Sequence, residues 1–402
     1  MTVALSRSVW HESVVGTAAN DDASWKTRPD VRRHTHLVCF VSCIWLWFVV
    51  GFGPPRLVDR EFAPTVRLDT SELRSLAESA QPPDLTATAY LLYDVDADQV
   101  LFAQNAEQTL PPASLTKLMT ALLVLEQDTL NARVTVDVTD LIGGATMGLR
   151  AGETLTVEQL LRGLLIPSGN DAARTLARHS AGSVEAFVAQ MNARTAELDM
   201  TQTQFANPHG LDAAEHVSSA ADLLTLTRQL WTFPLFRDIV GTRSAEVAGH
   251  ALRNTNELLG AFPGADGIKT GTTPAAGENL IASITRDGHT VFLLILGSTD
   301  RYGDARTLYE TYSTRYAWTH GRIDRLMALN RVYGRTGRLW YVRAEGEPPQ
   351  LLQPRWTGPD LRAFRQIQLP PGGQPWQPGM YAGVVEWRLG DIPIGNQMLV
   401  LW

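Results

Sequence analysis

Apolar positions along this chain change their period several times, and each change marks an element. Leu37 to Phe52, LVCFVSCIWLWFVVGF, is almost unbroken apolar sequence. Two short runs rich in β-formers follow, Ala87–Val95 and Val100–Gln104, joined by Asp96-Ala97-Asp98-Gln99, which predicts a hairpin. From Pro111 to Leu130 the period becomes helical, with Leu115, Leu118, Met119, Leu122, Leu123 and Leu125 on the apolar positions. Further helical runs cover Val157–Leu165, Asp171–His179, Val184–Leu198 and Ala220–Leu230. Asn279–Thr285 and Thr290–Leu296 alternate again around Asp287-Gly288, a second hairpin, and Asp304–Ala317 returns to helix. After His320, Val, Tyr and Trp alternate with Gly/Pro clusters such as Gly346-Glu347-Pro348-Pro349, which predicts a small all-β module.

This order of hairpin, helical block, strands and helix predicts an α+β fold, a sheet flanked by helices. The expected organisation is a tail over 1–36, a transmembrane anchor over 37–55 and a linker over 56–86 with a short helix near Ser71–Ala80. A catalytic domain follows over 87–320 and an all-β accessory domain over 321–402. The apolar segment sits at the short end of the ~20 residues that cross a ~30 Å hydrocarbon core. Lys26, Arg28, Arg32 and Arg33 precede it, so the positive-inside rule predicts a cytoplasmic tail and an exported body. With no A-x-A site behind it and a long tail before it, an uncleaved signal anchor is expected over a cleaved signal.

Composition narrows the chemistry. A net charge of −7 without a basic run argues against nucleic-acid binding. Cys39 and Cys43 both lie in the apolar segment, so the exported part has no thiol nucleophile or Cys-based zinc site. His209 and His216 lack the H-E-x-x-H spacing, and Asp94, Asp96 and Asp98 lack the Gly and Glu of a calcium loop. No metal or cofactor is therefore expected.

Three lysines stand against thirty-two arginines, and two of the three fall in short motifs: Ser114-Leu115-Thr116-Lys117 and Lys269-Thr270-Gly271. A guanidinium stays charged, whereas a buried ammonium can lose its proton and act as a base. On a helix, Ser114 and Lys117 share a face. A neutral Lys117 then reaches the serine hydroxyl, and burial beside a second cation, Lys269, lowers a lysine pKa. Backbone N–H groups of a first helical turn also offer an oxyanion site. Ser168-Gly169-Asn170 precedes a helix and reads equally as an N-capping loop. Gly267–Thr272 is expected as an edge strand to which a peptide substrate adds.

S-x-x-K, S-x-N and K-T-G in this order resemble the signature of penicillin-recognising serine acyl-transferases and serine β-lactamases. PPASLTKLMTALLVLE, LLIPSGNDAA, FANPHGLD and ADGIKTGTTPAAGENL are similar to segments of the D-alanyl-D-alanine carboxypeptidases, the low-molecular-mass penicillin-binding proteins. The resemblance runs from about Ala87 to Thr299. It implies a penicillin-binding/β-lactamase-like fold, an antiparallel sheet flanked by helices with a helical subdomain, and Ser114 as acylated nucleophile, Lys117 as general base and Ser168 as proton relay. Asn170, Lys269, Thr270 and Gly271 would bind substrate, and the N–H groups of Ser114 and Thr272 would form the oxyanion hole. The implied reaction removes the terminal D-alanine from peptidoglycan stem peptides, and β-lactams would acylate the same serine. DD-endopeptidase action and β-lactamase activity are the alternatives. Against the latter, no E-x-x-L-N stands between Ser168 and Lys269, the nearest candidate being Glu197. Many family members end in a membrane-docking amphipathic helix; here the N-terminal segment is expected to take that part. The Trp-rich C-terminal module (Trp340, Trp356, Trp376, Trp387, Trp402) is expected to use its indoles in core and edge.

Overall fold

The computed structural model describes residues 57–60, 82–320, 330–334, 336–355, 361–370, 375–389 and 392–402. The expected anchor over 37–55, the helix near Ser71–Ala80 and Trp356 lie outside the described residues. In chain order the strands are β1 Leu57–Arg60, β2 Ala89–Asp94, β3 Gln99–Gln104, β4 Arg133–Thr135, β5 Thr154–Thr156, β6 Ser244–Val247, β7 His250–Arg253, β8 Ala265–Thr273, β9 Gly277–Arg286 and β10 His289–Ser298. The later strands are β11 Tyr316–His320, β12 Arg331–Tyr333, β13 Leu339–Glu345, β14 Gln350–Pro354, β15 Leu361–Ile367, β16 Tyr381–Leu389 and β17 Ile392–Leu401. The helices are α1 Lys117–Gln127, α2 Val157–Leu165, α3 Asn170–Ala181, α4 Val184–Glu197, α5 Ala220–Trp231, α6 Pro234–Gly241 and α7 Arg301–Arg315.

A five-stranded antiparallel sheet in the order β3-β2-β10-β9-β8 runs through residues 89–298. Its inner strands are apolar on both faces because both faces are covered. Leu91, Phe292 and Leu294 point into the helical block, while Leu92, Leu293 and Ile295 meet Leu308 and Tyr312 of α7. The helical block is built around α1, which touches α2, α3, α4 and α5. Every residue of α1 from Lys117 to Val124 is buried, so an all-round apolar helix ends up as the central one.

Sequence-encoded stops set the element ends. Thr156 and Gln159 form a capping box at the start of α2. Ser183 caps α4, and Gly182 ends α3 in the left-handed region (φ 81°). Two boundaries depart from the expected pattern. The run expected as one helix from Pro111 begins as a 3-10 turn, Ala113–Thr116, because Ala113 sits at φ 48° and α1 starts only at Lys117. The last helix starts earlier, at Arg301 behind the Asp300 cap, and gives way at Tyr316 to β11, whose register pairs Tyr316 with Pro354 of β14.

The C-terminal part is all-β: a six-stranded sheet in the order β1-β15-β16-β17-β13-β12. Trp340, Val342, Val385, Trp387, Leu399 and Leu401 form its core, and Trp376 packs edge-on against Trp340 at 6.3 Å. Its first strand comes from the stretch expected to be linker: Leu57–Arg60 pairs antiparallel with Ile367–Phe364. A four-residue strand among Pro and charged residues carries too little alternation to be read locally.

Candidate active site

The site forms where the Ala113–Thr116 turn, the loop before α3 and edge strand β8 converge. Ser114 is partly exposed, whereas Lys117 behind it is fully buried. Lys117 Nζ lies 2.9 Å from Ser114 Oγ, 2.8 Å from Asn170 Oδ1 and 2.6 Å from the His209 carbonyl oxygen. A neutral amine has two N–H bonds and one lone pair. Asn170 Oδ1 and the His209 carbonyl only accept, so they take the two N–H bonds and leave the lone pair for the Ser114 hydroxyl. Burial, then the charge of Lys269, holds Lys117 well below the ordinary lysine value, with Asp171 acting weakly the other way.

Lys269 is also fully buried; its Nζ donates to Ser168 Oγ (2.9 Å) and to the Thr270 carbonyl (2.8 Å). Burial and the neighbouring Arg301 guanidinium lower its pKa to about 7. Ser168 adopts φ 66°, a left-handed conformation uncommon for serine, immediately before the Gly169 cap of α3. Thr270 Oγ1 is 2.7 Å from Thr255 Oγ1. β8 is the edge of its sheet, paired among the described strands with β9 only, with Gly271 opposite Asn279 and Thr272 opposite Glu278. A Cβ at Gly271 would stand 3.0 Å from the Ser114 nitrogen and 3.0 Å from the Ala113 Cβ. Only glycine lets this strand come so near the Ser114 backbone N–H. The structure thus brings Ser114, Lys117 and Asn170 into one cluster and Lys269, Ser168 and Thr270 into a second, with Gly271 against the Ser114 turn and Thr272 next on the same edge.

Several contributing residues were not singled out from sequence. Asp171 accepts from Thr146 Oγ1 and from the N–H groups of Met147, Gly148 and Leu149. Burial works against its charge, but the Thr146 hydroxyl and these N–H donors outweigh it and hold the carboxyl below the usual range. That ties the loop over α3 and lets Asn170 donate to the Gly143 carbonyl (2.8 Å). His216 accepts from the Ala206 N–H at Nδ1, so its Nε2 carries the proton toward Thr116 Oγ1, 2.8 Å away. Thr116 in turn donates to the Ala113 carbonyl (2.8 Å), holding the strained residue before Ser114. Burial lowers His216 to about 4, so it stays neutral. Arg301 reaches the Gly271 and Asn279 carbonyls at 3.0 and 3.1 Å. Motif spacing could flag none of these, because their side-chain partners are 25 to 100 residues away in sequence and the rest belong to the backbone. Glu197 stands at the exposed end of α4, paired with Arg194 at 2.7 Å.

The sequence profile of the D-alanyl-D-alanine carboxypeptidases matches residues 76–300, which include every residue of both clusters. The chain belongs to the D-alanyl-D-alanine carboxypeptidase family. Members are serine peptidases, and this chain is a serine-type D-alanyl-D-alanine carboxypeptidase. It is 31% identical over 344 residues to the Escherichia coli D-alanyl-D-alanine carboxypeptidase DacC, covering 81% of this chain and 85% of that one. Among solved structures, penicillin binding protein 6B from Escherichia coli superposes with a TM-score of 0.60 at 28% identity, covering 80% of this chain and 96% of that one. Penicillin-binding protein D2 from Listeria monocytogenes, solved in its ampicillin-bound form, gives 0.52 at 31% identity over 57% of this chain and 99% of that one. The carboxypeptidase family thus accounts for the sheet and the helical block.

Proposed function

We propose that Ser114 is the acylated nucleophile of this carboxypeptidase and Lys117 its general base. The peptide lies antiparallel along edge strand β8, its terminal carboxylate toward Lys269 and Thr270. Lys117 takes the Ser114 proton as Oγ attacks the carbonyl carbon between the two terminal D-alanines of a peptidoglycan stem peptide. The negative charge that develops on the carbonyl oxygen is met by the N–H groups of Ser114 and Thr272. Collapse expels D-alanine, whose amine takes the proton from Lys117 through Ser168, which Lys269 orients, so Lys117 is neutral again. Asn170 holds both Lys117 and the substrate amide. Water then attacks the acyl-serine, Lys117 taking its proton and returning it to Ser114 Oγ as the shortened peptide leaves.

Support comes above all from the two pure acceptors on Lys117, which aim a lone pair at Ser114. β-Lactams enter the same path, since their strained amide meets the same serine; the ampicillin-bound Listeria structure supports that. The four basic residues before Leu37 and the apolar run behind them support a membrane-anchored chain whose body lies outside the cytoplasm. The test is D-alanine release from a stem pentapeptide compared with cleavage of a cross-linked dimer. Release that is faster on the pentapeptide and lost in Ser114→Ala is expected; faster dimer cleavage would make the enzyme an endopeptidase, and activity surviving Ser114→Ala would remove the assigned nucleophile.

A further inference from the structure

The six-stranded C-terminal sheet buries one face; on the other, most described side chains are partly or well exposed, with Val400 buried among them. Along β13, Trp340 and Val342 point into the core, so Leu339, Tyr341 and Arg343 point away; along β17, Leu399 and Leu401 point in and Met398 and Trp402 out. Nine large apolar side chains are exposed among the described residues, and five of them lie on this outer face: Tyr333, Leu339, Tyr381, Met398 and Trp402, between 37% and 68% exposed. Register makes them neighbours. Tyr333 is opposite Leu339, Tyr381 opposite Val400, and Trp402 exchanges backbone hydrogen bonds with Tyr341. So many exposed aromatic and apolar side chains on one sheet face mark an interaction surface.

Charge distinguishes what it meets. Arg331, Arg343, Arg362 and Arg388 project on this face with Glu345 and Glu386, four positive charges against two negative, in a chain of net charge −7. Tyr and Trp beside Arg is the composition of protein surfaces at the lipid headgroup level, where the rings sit between water and hydrocarbon and the guanidinium groups meet anionic lipid.

Chain length brings the two together. Only Gly53, Pro54, Pro55 and Arg56 separate the apolar segment from β1, which is an edge strand of this same sheet. Fully extended, the step from Phe52 to Leu57 covers at most about 18 Å. The sheet itself is about 24 Å wide from β1 to β12, at ~4.8 Å per strand. That step is the whole tether an anchor over residues 37–55 would leave to the sheet.

We propose that the outer face of the six-stranded sheet lies on the anionic headgroup surface of the bilayer. This rests on the anchored reading given above. The face then acts as a second, non-inserting contact that fixes how the enzyme stands on its membrane.

The test uses the full chain with Cys39→Ser and Cys43→Ser, carrying a fluorophore at Met398→Cys or, as control, at Ala193→Cys on exposed α4. Each is reconstituted in phosphatidylglycerol/phosphatidylethanolamine vesicles containing headgroup-nitroxide lipid, and vesicle flotation is scored in parallel. Expected are flotation of both, with lipid quenching at position 398 at least about two-fold that at position 193. Arg343→Glu combined with Arg388→Glu should cut that difference while the protein still floats. Equal quenching at both positions in floating protein overturns the proposal, as does shielding of position 398 that rises with protein density on the vesicle, which would assign the face to a second copy. Protein that fails to float overturns the anchored reading itself, and the headgroup contact with it.

Discussion

At the residue scale, the proposed mechanism lets two buried lysines set the working pH. Lys117 must be neutral to act as a base and its pKa is depressed, so acylation is lost as pH falls through that value. Lys269 must be charged to hold a carboxylate and sits at about 7, so substrate capture is lost as pH rises through it. The profile of kcat/KM is therefore expected to be bell-shaped, its alkaline limb near 7, measured over about pH 5 to 9. Lys269→Arg, which cannot deprotonate, should remove the alkaline limb; an unchanged limb would mean another group titrates there. His216 acts through Thr116 on Ala113 rather than on substrate. His216→Ala should slow penicillin acylation about 10- to 100-fold with little change in the pH profile, whereas a shifted profile would give the imidazole a proton-transfer role.

Edge strand β8 is the decisive element. Gly271→Ala would push a methyl against the Ala113–Ser114 backbone at 3.0 Å, so it should lower the acylation rate about 100-fold while leaving the fold intact by circular dichroism. Full activity would show that the strand has room to retreat. On the sheet's inner face, Phe292 meets Trp231 edge-on at 5.1 Å, and Phe292→Ala should cost about 3–5 kcal/mol in denaturant unfolding. Elements of this kind were legible in the sequence because their signal is local. The periods of α2 through α5 and the Asp287-Gly288 turn gave helices and hairpin within a residue or two. The start of α1 was not, since the break depends on Ala113 being held at positive φ by Thr116 and His216, a contact 100 residues long. The three motifs could be read as chemistry because each is contiguous; Asp171 and Arg301, which work through backbone groups of other elements, could not.

Across the whole molecule, the stretch before the catalytic half and the stretch after it meet in one sheet, through β1 and β15. That pairing was illegible in sequence because a four-residue strand finds its partner some 300 residues later, with no local period to announce it. A chain beginning at residue 82 lacks β1 and leaves β15 as an open edge. It should melt at a lower temperature by calorimetry and still be acylated at the parent rate, since the residues of the site lie between 112 and 301; a lost acylation rate would couple the two halves. The larger consequence of the fold is that a helical block and a sheet edge bury two amines near each other, which lowers the pKa of the first and suits it to the proposed role of base. The most direct measurement is the rate of Ser114 acylation by a fluorescent penicillin, located by mass spectrometry, in the parent and in Lys117→Arg. A fall of at least about 100-fold at every pH is expected, because the guanidinium keeps the charge and nearly the length but cannot accept the proton. Acylation of Ser114 at near-parent rate in that variant would contradict the account.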